Sequence, residues 1–117
     1  MSSRSRALLF LFAVAAAVIG AEAEHPVGGW EPIANVNDPK LRDIADFAVK
    51  EHNREAGGRL IFRDILKGEQ QVVSGMNYRL LISAVEASGG LPGKYQAVVF
   101  EKVWQSTRTL VSFSKVA

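Results

Sequence analysis

"NDPKLRDIADFAVKEHNREAGGRLIFRDIL", residues 37–66, contains a change of period, and that change sets the fold. Up to Ala56, the apolar residues Leu41, Ile44, Ala45 and Ala48 recur at the i, i+3, i+4 and i+7 spacing of an amphipathic helix, with Phe47 and Val49 widening the stripe. Asn37 or Asp38 can cap its start, and Pro39 suits a first turn, where a missing N–H costs nothing. Gly57-Gly58 closes the far end. Asp43, Asp46, Lys50 and Glu51 then fall on the solvated side, where Asp46 and Lys50 make an i,i+4 pair.

From Arg59 the period becomes two. "RLIFRDILKGEQQV" (59–72), "MNYRLLISAVEA" (76–87), "KYQAVVFEKVW" (94–104) and "RTLVSF" (108–113) are rich in β-branched and aromatic residues, and only "VSG", "SGGLPG" and "QST" separate them. Strands joined so briefly form an antiparallel meander. Trp30–Val36 is a candidate for one more, short strand. The predicted architecture is α+β, with one helix packed on the apolar face of a four- to five-stranded antiparallel sheet.

Upstream, "MSSRSRALLFLFAVAAAVIGAEA" places Arg4 and Arg6 before an apolar run, Ala7–Ala21, that ends in Ala21-Glu22-Ala23. These are the basic, apolar and cleavage regions of a secretory signal, and the run is shorter than the roughly 20 residues of a membrane span. Residues 1–23 are therefore read as a removed signal peptide, with cleavage after Ala23, or after Ala21 as second choice. The mature form is then secreted and free of a membrane anchor. Residues 24–117 make one domain, preceded by a loose arm at 24–29 where Gly28 and Gly29 free the backbone.

Composition removes several classes of function. The net charge of +2 is spread along the chain rather than gathered in a stripe, so no nucleic-acid partner is implied. With no cysteine there is no thiol nucleophile, thiolate metal site or disulfide. His25 lies in the arm and His52 on the helix, a poor basis for a metal site. Ser74 lacks the G-x-S-x-G setting of a nucleophile, and "GGLPG" (89–93) lacks the Lys-Ser/Thr pair of a phosphate loop. No enzyme, cofactor or metal is expected.

Apolar residues in the loops remain to be explained. Val72-Val73 falls at the first hairpin turn, Val103-Trp104 at the last, and Val27 beside the glycine pair. Turns normally carry Gly, Asn, Asp, Ser or Pro. In a meander these two turns emerge at one end of the sheet, so an exposed apolar edge there reads as a binding surface, whereas a lone tryptophan would be read as core.

These residues resemble the plant-type cystatins, protein inhibitors of papain-like cysteine proteases. "QVVSG" (71–75) fits the family's Gln-x-Val-x-Gly loop at Gln71, Val73 and Gly75, with Val72 and Ser74 between them. "IADFAVKEHN" (44–53) fits the plant helix signature apart from Asp46, where a basic residue or Glu is usual. Gly28-Gly29 fits the N-terminal glycine pair, and Trp104 the tryptophan of the second loop, where Val103 replaces the usual proline. The resemblance implies a reversible, tight-binding, monomeric inhibitor in which the arm and both loops wedge into the protease cleft. It assigns protease contact to Gly28, Gly29, Gln71, Val72, Val73, Ser74, Gly75, Val103 and Trp104. A secreted binding module of the same fold without inhibitory activity is the alternative.

Overall fold

Asp38 starts the helix: its side chain accepts a hydrogen bond of 2.8 Å from the Lys40 N–H, and Pro39 occupies the first turn. The helix, α1, runs Pro39–Ala56 and ends on Gly57, whose φ of 69° is the left-handed conformation that closes a helix at low cost in glycine. This computed structural model describes residues 29–117; the proposed signal segment, His25, Val27 and Gly28 lie outside the described residues.

The strands are β1 (Glu31–Pro32), β2 (Leu60–Val73), β3 (Gly75–Glu86), β4 (Gly93–Lys102) and β5 (Thr107–Lys115). They form a five-stranded sheet in the order β1-β2-β3-β4-β5, each neighbour antiparallel, as the short connections predict. Irregular pairing at Phe62/Asp64 and at Ile65/Lys67 interrupts the long β2, and such bulges bend a strand.

One face of α1 closes the sheet. Leu41, Ile44, Ala45, Ala48 and Val49 are buried with Leu80, Ile82, Ala84, Ala97 and Val99 in one apolar core. Each large aliphatic side chain there contributes about 1.5–3 kcal/mol relative to exposure, while the four alanines let the two layers lie close. Asn53 ties the end of α1 to the start of β2: its Nδ2 donates to the Leu60 carbonyl at 2.9 Å, and the Leu60 N–H donates to Oδ1 at 3.0 Å. His52 stacks on Phe113 with ring centroids 4.1 Å apart, so it packs the helix onto β5.

Several element boundaries differ from the sequence expectation, two of them at the loops of interest. β2 continues through Val73, and β4 stops at Lys102 rather than including Val103 and Trp104. The candidate strand at Trp30–Val36 shrinks to Glu31–Pro32: Pro32 has no N–H to donate, and the Ile33 N–H, bonded to the Gly68 carbonyl at 2.8 Å, is the last link to β2.

Candidate functional site

Val73 pairs with Gly75, so Ser74 alone forms the bend between β2 and β3. The valines are thus strand residues at the last two rungs, not turn residues, because a β-branched side chain suits extended backbone and resists a tight turn. Val72 is 63% exposed, Val73 is half-buried and Ser74 exposed. Across the hairpin, Asn77 Nδ2 donates to Gln71 Oε1 at 2.7 Å, which holds the two strands together just before the bend.

Gly75 is required by geometry. Its φ of 154° is one that side chains rarely adopt, and a Cβ there would stand 2.6 Å from the Glu101 carbonyl oxygen and 3.0 Å from the Phe100 ring. No other residue fits without movement of the backbone. The first hairpin therefore lies directly against the end of β4.

From that end of β4 the second connection departs. Val103–Gln105 form a single 3-10 turn, and Ser106, at φ 51°, returns the chain to β5 while its N–H bonds the Val103 carbonyl at 3.0 Å. Val103 is 59% and Trp104 67% exposed. Trp104 is not a core residue.

The chain entering β1 approaches the same end. Glu31 pairs with Gln70 in antiparallel register, so Trp30 and Gly29 lie toward the level of Gln71 and Val72. Gly29 is exposed, while the half-buried Trp30 lies beneath Arg79, whose guanidinium carbon is 4.2 Å from the ring centroid. Arg79 is itself held by Glu69, with Nε at 2.8 Å and Nη2 at 2.7 Å from Oε1. The hydrogen bond from Arg79 keeps the Glu69 carboxyl below its usual range.

Beneath this edge is an ionic cluster that the sequence reading did not single out. Glu101, 6% exposed, accepts from Arg108 Nε at 3.0 Å and Nη2 at 2.8 Å on Oε2. Lys40 Nζ forms an ion pair with Oε1 at 2.9 Å, the charge that faces this buried oxygen. Arg108 Nη1 also donates to Asp43 Oδ2 at 2.9 Å, which draws Asp43 out of the purely solvated role its helix position suggested. Burial pushes the Glu101 carboxyl up, but Lys40 and Arg108 outweigh it and hold the group below the ordinary carboxylate range. The bond to Glu101 in turn raises Lys40. Helix spacing sets Lys40 near Asp43 and the last hairpin pairs Glu101 with Arg108, but only the packing of α1 on the sheet brings the two pairs together.

Among the described residues no group of three His, Asp or Glu side chains could hold a metal ion, and the helix carboxylates Asp46 and Glu51 are paired with Lys50 and Arg54. No helix among them is long and apolar enough to cross a membrane.

Comparison with known proteins accords with this geometry. Residues 33–116 match the family model described as aspartic acid proteinase inhibitor. Cysteine proteinase inhibitor 1 of Actinidia chinensis is 46% identical over 99 residues, covering 85% of this chain and 84% of the relative. A salivary cystatin of the soft tick Ornithodoros moubata shares the fold with a TM-score of 0.67 at 20% identity, over 77% of this chain and 98% of that one. The squash aspartic acid proteinase inhibitor superposes with a TM-score of 0.60 at 28% identity, over 84% of this chain and 99% of that one. These relatives are inhibitors and not enzymes, and their shared fold is the helix and meander built above. The chain belongs to the plant cystatins, a family of protease inhibitors.

Proposed function

We propose that this chain is a reversible, tight-binding inhibitor of papain-like cysteine proteases, acting as an exported monomer. The observation that carries this reading is the apolar edge: Val72, Val103 and Trp104 stand mostly in water at one end of a rigid sheet, on two adjoining connections. Apolar side chains so placed add nothing to the core and gain their stabilisation by entering a desolvated cleft. The wedge comprises the Gln71–Gly75 hairpin, the Val103–Trp104 turn and the arm at Gly28-Gly29. Because the tightly paired hairpin and the packed sheet hold the edge in place, little conformational entropy is lost on docking. The edge blocks the cleft without presenting a bond for cleavage. The name of the Actinidia relative supports cysteine proteases as targets.

A second reading is favoured by the family model's description and by the squash neighbour, both of which name aspartic acid proteinases. Titration of the purified protein against papain and against pepsin separates the two. Stoichiometric, reversible loss of papain activity with pepsin untouched supports the first reading, and the opposite pattern supports the second. A protein that leaves both enzymes fully active refutes both, and the reading left is a binding module without inhibitory activity.

A further inference from the structure

We infer that Glu101 is the positioning residue that fixes the second loop against the first; the inference rests on the inhibitory reading above. Its two ends hold different parts of the edge. The main-chain carbonyl lies against Gly75, so closely that no side chain fits between them. The carboxylate grips Arg108, its cross-strand partner and the second residue after the Val103–Ser106 turn, and reaches Lys40 in the first turn of α1. The guanidinium of Arg108 is further fixed by Asp43 and by the Phe47 ring, 5.6 Å away. One buried side chain thereby ties β4, β5 and the helix together at the base of the exposed Val103-Trp104.

The second loop needs such a tie. Its turn is closed by the hydrogen bond from the Ser106 N–H to the Val103 carbonyl, and none of its residues is buried. An open cleft of about 400 Å³ lies beside it, bordered by Lys40, Phe47, Val103 and Ser106. Without the carboxylate the β5 stem has room to shift into that space, and Arg108 and Lys40 repel each other. With it, Val103 and Trp104 keep one position relative to Val72 and Val73. A wedge with two tips needs that constancy, because both must enter one cleft together.

The test uses Glu101→Gln, which keeps shape and removes charge, with Asp43→Asn as a milder variant at an exposed member of the cluster. In the free protein, ¹⁵N relaxation should show greater mobility at Val103–Ser106 and at the Trp104 indole for Glu101→Gln, with a smaller increase in the same residues for Asp43→Asn. In papain inhibition, Glu101→Gln should raise the inhibition constant about tenfold alone, and less than threefold in a Trp104→Ala background. Unchanged relaxation in both variants overturns the inference, as does an equal loss of affinity in both backgrounds, which would mark a general structural effect. If Glu101→Gln does not fold, Asp43→Asn decides by the same two readouts, with a change in affinity about twofold. Should the parent protein inhibit no protease, the inhibitory reading fails, and relaxation alone judges whether Glu101 fixes the loop.

Discussion

Trp104→Ala separates the energetics of binding from those of folding. The side chain is 67% exposed, so of the up to about 250 Å² that a tryptophan can bury about two thirds is available to a partner. At about 25 cal/mol per Å² full burial of that surface is worth at most about 4 kcal/mol, and truncation of a tryptophan at an interface centre typically costs about 2 kcal/mol or more. The inhibition constant for papain should therefore rise between about 30-fold and 1,000-fold. Folding should change by less than about 1 kcal/mol, because an exposed side chain contributes little to the core. The assay is progress-curve inhibition together with urea unfolding on the same preparation. Loss of several kcal/mol of stability with inhibition preserved in the folded fraction would refute the reasoning, since that is how a core tryptophan behaves.

Gly75→Ala should destabilise the protein by about 1–3 kcal/mol and weaken inhibition, since its Cβ would meet the Glu101 carbonyl at 2.6 Å; an unfolding midpoint equal to the parent's would contradict that. Acid should weaken the fold through Glu101 and Glu69, whose carboxyls lie below their usual 4.5 in the folded chain because of Lys40 and Arg108 in one case and Arg79 in the other. The unfolded chain binds more protons in that window, so this stabilisation is complete above about pH 4.5 and is lost as pH falls through the folded values. Urea unfolding between pH 6 and pH 3 should show the decline, with a shallower slope for Glu101→Gln. The exported protein should begin at Glu24, or at Glu22 with the alternative cleavage; N-terminal sequencing that finds Met1 or Ser2 would contradict the export reading.

Local periodicity made most of the fold legible. Of the stripe from Leu41 to Val49, all but the partly buried Phe47 are buried, and the cap at Asp38 and the stop at Gly57 fall where short-range chemistry places them. The meander followed from the brevity of its connections. The strand ends were less legible because a valine or tryptophan reads as strand wherever it stands: the same preference carried β2 through Val73 yet did not carry β4 into Val103. Val72, Val73, Val103 and Trp104 could be picked out because apolar residues near turns are locally anomalous, whereas Gln71 and Gly75 stood out only through the resemblance. Glu101, Arg108 and Asp43 could not, because each alone is an ordinary charged residue on a strand or helix. Their meaning comes from contacts of 2.8–3.0 Å, of which the one from Arg108 to Asp43 spans 65 positions of the chain. Trp30 belongs to the same class: its partner Arg79 lies two strands away.

The central claim, that the Gln71–Gly75 and Val103–Trp104 edge enters a protease cleft, is tested most directly by NMR of the protein titrated with papain whose catalytic cysteine is blocked by a small alkylating group. The methyl signals of Val72, Val73 and Val103 and the indole N–H of Trp104 should shift or broaden together and reach an end point at one equivalent, while Ala56 and Leu91, at the end of α1 and in the β3–β4 connection, stay where they were. Perturbation confined to α1 or to the β3–β4 connection, with the four edge signals unmoved, would contradict it.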